Sequence, residues 1–248
     1  MTDDAIKLLY RFRIRAFADK ALEIADDPAY DHLSFTEKIE LCTEAESHVR
    51  AERKIARLNK QAKFTLPHAC IENIEYLPKR SLRRDGIARL AAGRFIDDGI
   101  NVIIVSATGS GKSYLCQALG NALCRAGRSV RYIRHADLCR ELNVARNDGS
   151  LYRVMDHFIA VELLIIDDLF LSECSMQNTT DLFEIIEARM TRGSLMLSSQ
   201  LAPEQWHLRI DTKIIADALL DRVIHNSHLI EIEGPNMREY YAKKNKEK

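Results

Sequence analysis

The chain lacks any cysteine pair at C-x-x-C spacing and any paired histidines at the spacing of a zinc finger. Its six cysteines, Cys42, Cys70, Cys116, Cys124, Cys139 and Cys174, are scattered, so they read as reduced, mostly buried thiols rather than as a disulfide framework or a metal site. No apolar run approaches the roughly 18 residues that a membrane span requires. The acidic start Met1-Thr-Asp-Asp4 lacks the basic opening of a secretory signal. These absences predict a soluble, cytoplasmic chain with no membrane partner. Internal repeats and low-complexity tracts are absent too, which excludes a solenoid. Net charge is also lacking: 36 Lys and Arg balance 36 Asp and Glu, so bulk composition carries no argument about nucleic acid.

The distribution of charge says more than its sum. Residues 50–94 hold twelve Lys or Arg against four Asp or Glu, a local net charge of +8, and the remainder carries the compensating negative charge. At 248 residues the chain has room for one sizeable α/β domain and a smaller appendage. The first third reads as helical, with Ile6, Leu9, Ile14 and Phe17 among basic residues as far as Asp26-Asp-Pro28. Ser34-Phe-Thr-Glu37 is a capping box, in which each side chain satisfies a backbone donor of the other, and it predicts a second helix running to about Phe64. Pro67 and Pro78 bracket a linker. Three regions are expected: a helical domain over 1–66, a basic linker and entry to the core over 67–98, and a nucleotide-binding domain over 99–248.

From about residue 100, apolar runs alternate with helical periodicity, the signature of a parallel sheet with crossover helices. Strands are expected at Asn101–Val105, Ser129–Arg134, Glu162–Asp167, Ser194–Ser199 and His228–Ile232. Helices are expected at Lys112–Ala126, Ala136–Arg146, Leu151–Phe158, Asn178–Thr191 and Ile214–His225.

The first of these strands runs into Ser106-Ala107-Thr108-Gly109-Ser110-Gly111-Lys112-Ser113, followed by a helix that opens with Tyr114. A strand, a glycine loop and Lys-Ser at a helix start form an arrangement that cradles the phosphates of a nucleotide. Backbone N–H groups face the anion, Lys112 reaches the β- and γ-phosphates, and the Ser113 hydroxyl holds magnesium. The usual pattern begins with glycine where this chain has Ser106, and a glycine-like backbone angle there would cost a serine some strain. Leu163-Leu-Ile-Ile-Asp167-Asp168 is an apolar strand ending in two carboxylates, where ligands of parallel sheets sit. Asp167 would orient magnesium through its water shell, and Asp168 would polarise an attacking water, which implies hydrolysis of the bound nucleotide. Ser199 or Gln200, at the end of the next apolar strand, could sense the γ-phosphate. Arg222 caps its helix, or pairs with Asp221, or reaches the nucleotide of a neighbouring subunit as an arginine finger. Ile71 to Ile74 offer a wall for the adenine.

The ordered set S-A-T-G-S-G-K-S, L-L-I-I-D-D-L, L-F-E-I-I-E-A-R, L-S-S-Q-L-A-P-E-Q-W-H, I-A-D-A-L-L-D-R-V-I-H-N-S-H and E-G-P-N-M-R resembles the IstB-like ATPases, transposition helpers of the IS21 type. These are AAA+ proteins related to DnaC-type helicase loaders. The resemblance covers nearly the whole chain, including L-S-F-T-E-K-I-E-L-C-T-E-A-E near the N-terminus, and its C-terminal motifs discriminate better than the phosphate loop does. It implies a P-loop AAA+ core with a five-stranded parallel sheet flanked by helices, preceded by a small all-helical domain. Only about fifteen residues follow Gly234, so the helical lid is reduced or absent.

The activity implied is slow, magnesium-dependent ATP hydrolysis by an oligomer with nucleotide at its subunit interfaces, bound to double-stranded DNA and serving the transposase of the same element. Lys112 and Ser113 become the Walker A residues, Asp167 and Asp168 the Walker B pair, Ser199 or Gln200 the sensor 1 residue, Arg222 the finger, and Arg238 a sensor 2 substitute. Most AAA+ proteins carry glutamate where Asp168 stands, and the shorter side chain implies slow turnover. Within the basic tract, Arg53, Lys54, Arg57, Lys60, Arg83 and Arg84 are expected to contact DNA phosphates without reading sequence. Two other functions fit the same residues: a helicase loader, and a nucleotide-locked DNA-binding scaffold that does not hydrolyse.

Overall fold

A computed structural model describes residues 3–172, 174–210 and 213–246. The chain divides into two compact units, Met1–Arg57 and Leu58–Lys248, with the division falling inside one long helix.

The first unit is helical. Helices α1 (Asp3–Arg11) and α2 (Arg15–Asp26) precede α3 (Phe35–Ala62), which carries the chain into the second unit. The capping box forms as its sequence requires: the Ser34 backbone N–H donates to Glu37 Oε2 at 2.7 Å, and the Glu37 N–H donates to Ser34 Oγ at 3.3 Å. Helix α2 starts without a capping side chain, because its N-cap is Ile14. Glu46 of α3 supplies the missing acceptor, taking the N–H groups of Ala16 at 3.0 Å and Phe17 at 3.3 Å.

In the second unit, α4 (Arg84–Ala91) and α5 (Arg94–Asp97) lead into β1 (Asn101–Val105) and α6 (Lys112–Arg125). Then follow β2 (Val130–Arg134), α7 (His135–Asn147), α8 (Leu151–Ile159), β3 (Leu163–Asp167), α9 (Met176–Arg189), β4 (Ser194–Ser199), α10 (Lys213–Ile224), β5 (Ser227–Glu231) and α11 (Met237–Lys246). The five strands form one parallel sheet in the order β2-β3-β4-β1-β5. Alternation along the strands divides the core between the two faces. Val102, Ile104, Leu163, Ile165 and Met196 pack with Leu115, Leu119 and Leu123 of α6 and with Ile87, Leu90 and Phe95 of the stretch before β1. Ile103, Leu164, Ile166, Leu195 and Leu197 pack with α7, α8, α9 and α10 through Leu142, Phe158, Ile185 and Leu219. Residues 67–98 thus contribute two helices to one face of the core. After β5 the described residues form one further helix, α11.

Placing β1 between β4 and β5, and β3 between β2 and β4, gathers the carboxyl ends of β1, β3 and β4 at one edge of the sheet. No described helix is long and apolar enough to cross a membrane.

Candidate functional site

Ser106 to Ser113 join β1 to α6, with Gly109 at φ +83° and Gly111 at φ +94°. Both backbone angles favour glycine, and a Cβ on Gly109 would also lie 2.4 Å from Asn236 Oδ1, whereas one on Gly111 would meet only the mobile end of Arg80 at 3.0 Å. Ser106 requires no such allowance. It is not among the residues of positive φ, and its buried Oγ donates to the Ile232 carbonyl just past β5 at 2.6 Å. The strain expected from replacing the first loop glycine is therefore absent, and the serine ties the loop to the edge strand.

Lys112 is buried and donates to the carbonyls of Ser106 at 2.6 Å and Ala107 at 3.0 Å. Burial lowers its pKa, and the carboxylates of Asp168 and Asp167 oppose that shift. Asp167, only 1% exposed at the end of β3, accepts the Tyr132 hydroxyl on Oδ2 at 2.8 Å and the Ser198 hydroxyl on Oδ1. Asp168 follows in the left-handed region, at φ +53°, and Phe170 repeats that conformation at +54°. For residues with side chains such angles cost about 1–3 kcal/mol each and persist only where the surroundings impose them. The constraint here is visible. The Asp168 N–H donates to Asp167 Oδ1 at 3.1 Å and Ser198 Oγ at 3.2 Å, the Leu169 N–H to the Ser198 carbonyl at 2.8 Å, and Ser199 Oγ to the Leu169 carbonyl at 2.9 Å. Burial and the neighbouring Asp167 raise the Asp168 pKa against the pull of Lys112, Arg134 and Arg238.

These groups border a cleft of about 570 Å³. Thr108, Gly109, Gly111, Lys112 and Ser113 line one side, Asp168, Gln200 and Arg238 another, and Leu66, Ile74, Tyr114, Leu115, Met237 and Tyr241 give it an apolar wall. Ile74, expected beside an adenine, is in that wall. A second cleft of about 490 Å³ adjoins the loop on its other side, between Ser106 and the turn Gly234-Pro235-Asn236. Gln200 borders both and accepts the Thr108 hydroxyl at 2.6 Å. Ser199 is fully buried against Leu169, so of the two residues expected to sense a γ-phosphate only Gln200 faces the cleft.

Arg222 lies elsewhere. It borders a crevice with Gly99, Asn101 and Asn226, at the amino end of β1. Its Nη2 donates to Glu187 Oε1 at 3.0 Å, and its guanidinium lies 4.8 Å from the Phe183 ring centre. Of the local alternatives, the helix-end one is met, with Nη1 donating to the Ala218 carbonyl at 3.1 Å, while Asp221 lies against His225 at 3.2 Å instead of Arg222. Arg53, Lys54, Arg57 and Lys60 are exposed along α3, where steps of three and four residues align 53, 57 and 60 on one side. Arg83 and Arg84 are exposed at the start of α4, with Arg84 4.8 Å from the Tyr76 ring centre.

Four site residues escaped the sequence reading. Tyr132 and Ser198 hold Asp167. Arg80 donates to the Ser110 carbonyl at 2.8 Å and borders the cleft, with burial lowering its pKa. Asn236 packs on Gly109 while the Met237 N–H donates to the Gly109 carbonyl at 2.8 Å. The motif E-G-P-N-M-R was the available signal for the last of these, and its turn closes directly on the phosphate loop.

The family model described as IstB-like ATP binding protein matches residues 7–247. The chain belongs to that family. A Sinorhizobium fredii relative, named as the insertion sequence ATP-binding protein y4uH, is 36% identical over 233 residues, 94% of each chain. Among solved structures, AMPPCP-bound DnaA from Aquifex aeolicus superposes with a TM-score of 0.60 at 22% identity, over 73% of this chain and 56% of that one. The DnaC helicase loader superposes with a TM-score of 0.56 at 16% identity, over 66% of this chain and 97% of that one. At such identities the likeness is one of fold, the P-loop AAA+ core. This IstB-family chain carries the loop 106–113 after β1 and the carboxylates of Asp167 and Asp168 at the end of β3 of that sheet.

Proposed function

We propose that this IstB-family chain is an ATP-hydrolysing switch that assembles on double-stranded DNA and assists the transposase of the same element in target selection or insertion. The observation that carries the reading is the convergence of Lys112, Ser113, Asp168 and Arg238 on one cleft of about 570 Å³ with an apolar wall. Relatives named for insertion sequences support the genetic context.

Phosphates seated on the loop amides offer Lys112 a stronger, charged acceptor than the two carbonyls it now bonds. Arg80 and Arg238 add positive charge at the same edge. Ser113 and Asp167 supply oxygen donors of the kind magnesium takes, and Asp167 Oδ2 retains a lone pair beyond the Tyr132 hydroxyl, whereas Oδ1 already accepts from Ser198 Oγ and the Asp168 N–H, so the set fits the ion through Oδ2. Magnesium there would neutralise phosphate charge. Asp168, whose carboxylate takes no hydrogen bond among the described residues and whose pKa is raised by burial and by Asp167, is suited to take a proton from the attacking water. Gln200 would position that water. Arg222, on this account, serves the cleft of the next subunit. Its pair with half-exposed Glu187 is worth no more than about 1 kcal/mol, so release costs little. The stripe of Arg53, Lys54, Arg57 and Lys60 would track DNA phosphates, and Arg83 and Arg84 would add to it.

The test is anisotropy of a labelled DNA duplex titrated with the chain and ATP across a salt series. Glutamate at positions 53, 54, 57 and 60 should weaken binding at least about tenfold and flatten its salt dependence. Unchanged affinity and slope would remove the DNA assignment. Retention of the transposase by the wild-type assembly, and not by a replicative helicase, separates this reading from that of a loader.

A further inference from the structure

Away from the cleft, the fold brings together three residues that are dispersed in sequence. His135 and Cys139 lie one turn apart on α7, and Cys174 reaches them from the segment after β3, where its N–H donates to the Arg209 carbonyl at 3.1 Å. His135 Nε2 is 3.7 Å from Cys139 Sγ and 3.8 Å from Cys174 Sγ, and all three ligand atoms lie within 4.8 Å of one another. His135 and Cys174 are buried and Cys139 is half-buried.

One thiol can donate to the neutral imidazole nitrogen and the other to a sulfur, but such a chain of hydrogen bonds does not require both sulfurs to lie at nearly the same distance from Nε2, as they do here. A tetrahedral cation about 2.3 Å from sulfur and about 2.0 Å from nitrogen spaces its ligands roughly 3.5–3.8 Å apart, close to the observed separations. A second buried group nearby is incompletely partnered. Asp181 on α9 receives Arg146 and Gln177 on Oδ1, its Oδ2 has no hydrogen-bond partner among the described residues, and its charge acts on Cys139.

From this geometry we propose that His135, Cys139 and Cys174 bind a thiophilic divalent cation, zinc by its donor set. On binding, the two thiols release their protons to solvent, and the imidazole coordinates through Nε2 in its neutral form. The cation would fasten the start of α7 to the segment that follows the paired carboxylates. Phe170, one of the two left-handed residues of that segment, lies with its ring centre 5.2 Å from that of His135 and 5.8 Å from that of Trp206. A bound cation would thus hold the Asp168–Phe170 turn from behind, in an ATP-independent way.

The experiment uses the full chain purified under reducing conditions without chelator. Zinc is measured by elemental analysis, and cobalt(II) is titrated into metal-free protein while thiolate-to-cobalt charge-transfer absorption is followed. The wild type should hold one zinc per chain and develop that absorption at one equivalent. Cys139→Ala and Cys174→Ala should each weaken cobalt binding at least about 100-fold, whereas Cys70→Ala should leave it unchanged. Circular dichroism reports folding, and half-buried Cys139 provides the variant least able to disturb the core. A wild type with no zinc and no charge-transfer absorption would overturn the proposal. Absorption that persists equally in both variants, or a Cys139–Cys174 disulfide in place of metal, would overturn it as well.

Discussion

Both ends of the sheet bury polar charge, and they use it in opposite ways. At the amino end, Arg189 is 1% exposed and its guanidinium donates to the carbonyls of Phe158, Ile159, Val161, Glu162 and Ser194 at 2.6–3.3 Å. Burial without a carboxylate partner pushes its pKa down to about 10. Nearly every donor is consumed inside the fold, and the group ties the α8–β3 junction to β4. At the carboxyl end, Asp167 is equally buried but is held by two hydroxyls and one backbone N–H, Lys112 rests on two carbonyls of its own loop, and Asp168 and Arg238 face the cleft. Donors and acceptors there remain available to a ligand. A buried charge saturated by backbone stabilises the fold, and one that is under-used is poised for function.

That contrast can be broken by substitution, beginning with the largest expected effect. Arg189→Met should lower unfolding free energy by about 3–4 kcal/mol in urea titration, since several buried carbonyls lose their donor, and should leave the nucleotide affinity of the remaining folded protein unchanged. Lys112→Ala should do the reverse. A fluorescent ATP analogue should bind at least about 100-fold more weakly, while stability changes by less than about 1 kcal/mol, because a desolvated charge has been removed. Ser106→Ala should cost about 1 kcal/mol through the lost bond to Ile232 and affect nucleotide affinity only slightly, as measured by the same two assays. A large affinity loss would mean that Ser106 holds phosphate rather than the edge strand.

The smallest effect concerns the helical unit, where Glu46 is the charged side chain buried among the described residues. Glu46 has a lowered pKa, chiefly through Arg50, whose Nε donates to it at 2.7 Å, and through the Phe17 and Ala16 amides. A carboxyl whose folded pKa is depressed stabilises above its unfolded pKa and loses that contribution as pH falls through the folded value. Glu46→Gln should therefore cost about 1 kcal/mol near neutral pH, and the difference from wild type should vanish in acid below the ordinary carboxylate range. A difference independent of pH would assign the effect to packing.

How much of this was legible in sequence depends on the distance between partners. The capping box of Ser34 and Glu37, the phosphate loop and the five strands rest on neighbours in the chain, and their periodicity could be read directly. The span expected at His228–Ile232 pairs as Ser227–Glu231, with the Ile232 N–H still donating to Val105 at 2.9 Å. What could not be read depends on strand order. Tyr132 and Ser198 reach Asp167 because β2 and β4 flank β3, and Ser106 reaches Ile232 because β5 lies beside β1, a contact across 126 residues. The same reason explains the cysteines. No local spacing announces a metal site, yet the crossover from β2 and the loop after β3 bring His135, Cys139 and Cys174 together.

The central claim is that the carboxyl end of the sheet is a hydrolytic ATP site whose water is activated by Asp168. Phosphate release from ATP, with and without duplex DNA, tests it most directly when wild type, Lys112→Ala and Asp168→Asn are compared beside their binding of the ATP analogue. The account predicts DNA-stimulated release by wild type, no binding and no release by Lys112→Ala, and retained binding with release lowered at least about 100-fold in Asp168→Asn. Equal release by all three proteins, or binding without release by wild type on DNA, would contradict it.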